Sequence, residues 1–197
     1  MAQGATVTRL SERTKRPPVI SSAVLGTLFF VVAEVMFFSG AISAFTISRS
    51  GALPGTWPMP GQPRLPAEAT MLNTALLLLS GLVLVVAHRL YRKQNPIAHW
   101  VTLCAWALGA GFVGLQGVEW AGLLSQGLTL TSSPLGSFFY LIVGSHAVHA
   151  VVALIALGFA WLQMARNKLA PGLFFGAQTF WYFVVLMWPI IYLRVYF

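Results

Sequence analysis

Aspartate is absent from this 197-residue chain, and four glutamates, Glu12, Glu34, Glu68 and Glu119, carry all of its side-chain negative charge. Without an aspartate no Ser–His–Asp arrangement can be assembled. A single cysteine, Cys104, excludes an internal disulfide and a thiolate metal cluster. Cys104 sits in an apolar run and is expected to act as a small packing residue. Charged residues of every kind make up only 8% of the chain, against roughly 25% in a soluble domain. No glycine-rich phosphate-binding loop is present. The formal net charge of +8 invites a nucleic-acid reading. The basic residues sit beside apolar spans, however, and are better read as topology determinants and lipid headgroup contacts.

Hydrophobic residues account for 57% of the chain, with a mean hydropathy of +0.77. The expected fold class is therefore an all-α integral membrane protein. A spanning helix needs about 20 mostly apolar residues, and five stretches qualify: 19–47, 70–91, 97–124, 135–165 and 173–196. Pro18, Pro96, Pro134 and Pro171 stand at or just before four of these starts, where the missing N–H has no intrahelical partner to lose. The apolar run of the first span is about twice the 7–15 residues of a signal-peptide core and holds Glu34 near its middle, so it is read as a membrane helix. Residues 1–18 form a tail, and 19–197 form one five-helix domain. The connection from Ser48 to Pro66 contains Pro54, Pro58, Pro60, Pro63 and Pro66, which predicts an extended loop.

Lysine and arginine set the orientation. Arg9, Arg13, Lys15, Arg16, Arg89, Arg92, Lys93, Arg166 and Lys168 fall on one side, nine of the 12; Arg49, Arg64 and Arg194 fall on the other. The positive-inside rule then places the N-terminus in the cytoplasm and the C-terminus in the periplasm. Trp57, Trp100, Trp161, Tyr91, Tyr192 and Tyr196 lie near span ends, where aromatic side chains prefer the membrane interface.

Charge is expensive in hydrocarbon, about 2.5–3.5 kcal/mol or more per group at a helix centre. Glu34, Glu119, His146 and His149 are therefore the functional candidates. His146 and His149 share a helix face. They either begin a metal site, with Glu34 as a third ligand, or hydrogen-bond to neighbouring helices. A di-iron bundle needs Glu-x-x-His on two helices, whereas Gly122 follows Glu119 at that spacing and Phe37 follows Glu34. The span order puts Glu34 at the depth of the two histidines, so Glu34 is expected to face the fourth span. Gln116 and Glu119 share a face near the outer end of the third span. Gly109, Gly111, Gly114 and Gly117 in that span predict close helix packing. A proton path through Glu119 is the sharper alternative.

Taken in order, these residues resemble a known family. The run from Phe138 to His149, an aromatic pair followed by Gly144, His146 and His149, resembles the signature helix of subunit III of haem–copper respiratory oxidases. Glu34 to Gly40 with Ala44-Phe45 resembles that family's Glu-containing helix. Leu72-Asn73-Thr74, Ser80-Gly81 and Ala87-His88 resemble the next helix. Gln116, Glu119-Trp120 and Leu128-Thr129-Leu130 resemble the helix and loop that follow. The ordered set, from about Ala33 to Trp188, is far more specific than any one motif. One departure stands out: the family's last helix reads Trp-His-Phe-x-Asp-x-x-Trp, and here Tyr182 and Val185 replace the His and the Asp.

The resemblance implies the five-helix form of a non-catalytic accessory subunit, in the bacterial cytoplasmic membrane. It implies no haem or copper in this chain, and partners that hold both, oxidase subunits I and II, with room for a larger respiratory supercomplex. The complex would oxidise cytochrome c, reduce oxygen to water and translocate protons. Subunit III would stabilise the catalytic subunit, hold phospholipids and sustain proton uptake. Glu34, His146, His149 and Glu119 are its implied structural or proton-support residues. Arg166, Lys168, Glu34 and His88 are candidate lipid headgroup contacts. A quinol oxidase, a nitric oxide reductase-associated homologue and a small proton-coupled transporter are the alternatives.

Overall fold

A computed structural model describes residues 22–53, 55–58 and 60–197; the tail expected over 1–18 lies outside them. Five helices form in chain order: α1 (Ser22–Ser50), α2 (Ala67–Arg92), α3 (Ala98–Ser125), α4 (Pro134–Ala165) and α5 (Pro171–Val195). All five are long and apolar enough to cross a membrane, as expected, and the ends of α2 to α5 and the C-terminal end of α1 fall within three residues of the expected bounds. No strand occurs among the described residues.

Local chemistry fixes the helix ends. Pro134 and Pro171 occupy the first turns of α4 and α5, and the Ser133 side chain caps α4 by accepting from the Gly136 N–H. Helices α2, α3 and α4 stop in one way. Gln94, Gly127 and Asn167 adopt positive φ just past the end. The next residues, Asn95, Leu128 and Lys168, donate backwards to Leu90, Leu123 and Gln163 carbonyls. These are Schellman stops that satisfy carbonyls which would otherwise be orphaned. Short loops follow, so α2–α3 and α4–α5 are adjacent antiparallel pairs.

Helices α2, α3, α4 and α5 close a ring in which each packs on the next, and α1 lies in the groove between α4 and α5, touching neither α2 nor α3. In lipid no hydrophobic force drives helices together, so close fit and hydrogen bonds must do it. Glycines opposite bulky side chains supply the fit. Gly109 on α3 lies against the Trp181 ring of α5; a Cβ on Gly81 of α2 would come within 2.8 Å of Val185 on α5; one on Gly158 of α4 would meet Trp106 of α3 at 2.9 Å. The family's missing Asp is thus replaced by an apolar contact: Val185 is buried and fills the notch that Gly81 leaves.

Tryptophan N–H groups supply the hydrogen bonds. Trp181 donates to Ser80 (3.0 Å), whose hydroxyl donates to the Ala105 carbonyl (2.8 Å), joining α5, α2 and α3. Trp188 donates to Thr74 (2.8 Å), and Trp106 to the Leu154 carbonyl (3.0 Å).

Two expectations are corrected. Gly111, Gly114 and Gly117 have nothing within 4 Å of an added Cβ; they line an outward face, and only Gly109 of the four packs closely. Cys104 is exposed on the outside of α3 and is not a buried packing residue. Tyr192, near the end of α5, is buried and donates to the Ala67 carbonyl (2.8 Å), so it also ties α5 to the start of α2.

Candidate functional site

Three of the ionisable groups within the spans, Glu34, His149 and Glu119, build two clusters. In the first, Glu34 on α1 meets His149 on α4, with 3.0 Å between carboxylate Oε2 and imidazole Nε2. The other ring nitrogen of His149 lies 2.6 Å from the Ser145 carbonyl one turn earlier. That carbonyl can only accept, so Nδ1 carries a proton and holds the ring in place. Phe30, Phe38, Phe180 and Phe183 surround the imidazole with ring centroids 5.6–6.1 Å away. The pair is therefore screened from lipid but not sealed: its side chains are 15% (His149) and 19% (Glu34) exposed. Glu34 faces the fourth span directly, as its depth predicted.

His146 does not join this pair. It is buried, at 1% exposure, and stacks at 30° on Trp188 with centroids 5.0 Å apart. Neither of its ring nitrogens has a hydrogen-bond partner. The expectation that both imidazoles bond to neighbouring helices is thus met by His149 and corrected for His146, whose ring is held by stacking and shape. A zinc site on Glu34, His146 and His149 is not assembled either. No group of three or more His, Cys, Asp or Glu side chains is placed to hold a metal among the described residues.

The second cluster joins α2 and α3. Glu119 Oε2 accepts from the Gln116 amide and lies 2.9 Å from the Thr70 hydroxyl. Thr70 also sits 2.8 Å from the Pro66 carbonyl; its single proton serves one acceptor at a time. Asn73 donates to the Gln116 carbonyl oxygen at 3.3 Å, and Tyr196, just past the end of α5, closes the group at 3.5 Å. Gln116 and Glu119 share a face, as their spacing predicted. Thr70, Asn73 and Tyr196 were not foreseen as its partners, since nothing local in the sequence ties them to Glu119.

A family model described as cytochrome c oxidase subunit III matches residues 10–197. The chain belongs to this family. Cytochrome c oxidase subunit 3 of Gadus morhua is 31% identical over 189 residues, covering 91% of this chain and 71% of that relative. The probable cytochrome c oxidase subunit 3 of Nocardia farcinica is 28% identical over 201 residues, covering 98% of this chain and 95% of the relative. The Gallus gallus protein of the same name is 30% identical over 189 residues, with 91% and 71% covered.

Within this subunit III fold the remaining candidates separate. Arg166 and Lys168 are exposed just past the end of α4. His88, near the end of α2, is partly buried and pairs with Gln178 of α5 through Nδ1 at 2.8 Å. Sequence reasoning missed that pair because Gln178 lies in an otherwise apolar run. Tyr182, in place of the family His, is partly buried on α5.

Proposed function

We propose that this chain is the accessory subunit III of a proton-pumping terminal oxidase in the bacterial cytoplasmic membrane. It binds subunit I directly, assembles with subunit II, and leaves haem and copper chemistry to those partners. The family match across residues 10–197 carries this reading. The relatives' shared name supports cytochrome c as the electron donor. Orientation follows the charge count: N-terminus in the cytoplasm, C-terminus in the periplasm.

The role of this chain is mechanical and interfacial. Large apolar side chains such as Phe29, Met36, Val118 and Ile155 point outward from the bundle, where acyl chains or a neighbouring subunit would cover them. An apolar hollow between α1, α4 and α5, bordered by Gly26, Phe30, Gly172 and Phe180, suits a phospholipid tail. Arg166 and Lys168, with His88 nearby on the same side, suit its headgroup. Glu34 and His149 pin α1 to the bundle beside that hollow.

The test is to extract the chain from its native membrane in mild detergent and record the absorbance spectrum and subunit composition. Haem absorbance and a large many-helix partner are expected, with oxidation of cytochrome c in preference to quinol. A colourless, partner-free protein overturns the reading.

A further inference from the structure

Nine of the 12 lysines and arginines lie on the side where the positive-inside rule needs them; Arg49, Arg64 and Arg194 lie on the other. Topology gives those three no reason to be there. They come from separate stretches of chain: the last turn of α1, the loop just before α2, and the last turn of α5. The fold gathers them at two adjoining hollows. One, of about 510 Å³, is bordered by Arg49 and Arg64 with Phe45, Trp57 and Leu135. The other, of about 440 Å³, is bordered by Arg49 and Arg194 with Phe45, Ser50 and Leu193. Arg49 and Phe45 belong to both. The floor is well packed: Phe45 is 1% exposed, and its ring meets Trp57 of the loop and Phe138 of α4 edge-on, each at 5.7 Å. Among the described residues, none of the three guanidinium groups makes a hydrogen bond or an ion pair. No glutamate borders either hollow, and Phe197, which borders both, makes no ion pair with them. A guanidinium stays charged and offers five N–H donors in a fork that fits a phosphate. Three of them brought to the same two hollows repel one another, and an anion between them removes that repulsion.

We propose that these hollows bind the headgroup phosphate of an anionic phospholipid, in the leaflet opposite to that of Arg166 and Lys168. Arg49 is the shared anchor, and Arg64 and Arg194 complete the site from either side. Two of the three arginines stand at the ends of apolar spans, which is headgroup depth. The walls are mixed: charge at the rim, aromatic and aliphatic side chains beneath. Ile47 and Leu193, beside Arg49 and Arg194 on the same helix ends, are exposed and apolar, and they lead acyl chains down the outer faces of α1 and α5. A free phosphate uses the charge and has no use for this hydrocarbon surface; a phospholipid uses both. The site is separate from the hollow beside Phe30 and Phe180, which no arginine borders. That the leaflet is the periplasmic one rests on the orientation proposed above; the site itself does not.

The experiment places the protein, in its native assembly, in phosphatidylcholine nanodiscs with or without phosphatidylglycerol, and reads electron cryo-microscopy density and retained lipid by native mass spectrometry. With phosphatidylglycerol present, headgroup density is expected against Arg49 and against Arg64 or Arg194. Arg49→Gln is expected to lose that density and the retained lipid, and Arg166→Gln to keep both. Empty hollows, or a neighbouring subunit's carboxylate against the arginines of the unmodified protein, overturn the proposal, whether or not Arg49→Gln folds. Unchanged density in a folded Arg49→Gln protein overturns it too. So does inorganic phosphate bound there in discs without phosphatidylglycerol, if discs with it show no lipid. The readout is bound lipid and not oxidase activity, so its failure is distinct from failure of the function proposed above.

Discussion

Helices α1 and α5 are both apolar spans of similar length, yet 67% of an apolar 18-residue stretch of α5 is buried and only 17% of the matching stretch of α1. Helix α5 touches α1, α2 and α4, meets α3 through Trp181 and Trp188, and uses Trp181, Trp188 and Tyr192 to bond to neighbours at three depths. Helix α1 touches two helices and relies on Glu34–His149 and a few phenylalanines. The difference shows two ways of fixing a helix in lipid. Where a helix is surrounded, shape and many neutral hydrogen bonds share the load. Where it is peripheral, a buried-facing polar contact such as Glu34–His149 helps set its rotation and depth, and much of its surface is left for lipid or another chain.

This contrast can be broken by substitutions on either side. Gly109→Leu should do most harm. Any side chain there collides with Trp181, and moving that ring breaks its bond to Ser80. Overpacking of this kind costs about 1–3 kcal/mol or more, and a large fall in the thermal midpoint of the detergent-purified protein is the expected reading. Glu34→Ala should come next. Interhelical polar contacts in membranes average about 0.6 kcal/mol and reach about 1.7, and this pair belongs near the top of that range because it sets a carboxylate against an imidazole at 3.0 Å. A double-mutant cycle with His149→Ala measures the coupling; coupling near zero would remove the distinction between the two helices. Trp188→Phe keeps most of the ring surface and deletes one donor to Thr74. A loss of about 0.6 kcal/mol is expected, because α5 keeps its other bonds. Gly117→Ala, on the open face of α3, should stay within about 0.5 kcal/mol. A larger cost when it is measured in the native assembly, and not in the isolated chain, would place another molecule against that face.

Proline placement, charge asymmetry and apolar length made the five spans legible to within a turn, because membrane helices must satisfy their own backbone and reveal themselves by composition. The Glu34–His149 contact was legible for the same reason: few ionisable groups exist in the spans, and antiparallel order matches their depths. The glycine run in α3 was misleading because small residues mark close approach only on the face that has a neighbour. Three of those four glycines face outward. The state of His146 was also illegible, since the spacing to His149 puts both rings on one face without saying which reaches a partner.

By itself, then, the sequence determined that this chain spans a membrane five times, which way it is expected to face, and which family it belongs to. Those properties depend on local composition and on motifs read in order. The tertiary structure alone decided that α5 is central and α1 peripheral, that Val185 fills the notch at Gly81, and that His146 is buried against Trp188 without a hydrogen-bond partner. Each of these depends on the rotation of one helix against another. That rotation is set by interlocking side-chain shapes across residues far apart in the chain, a property no local pattern encodes.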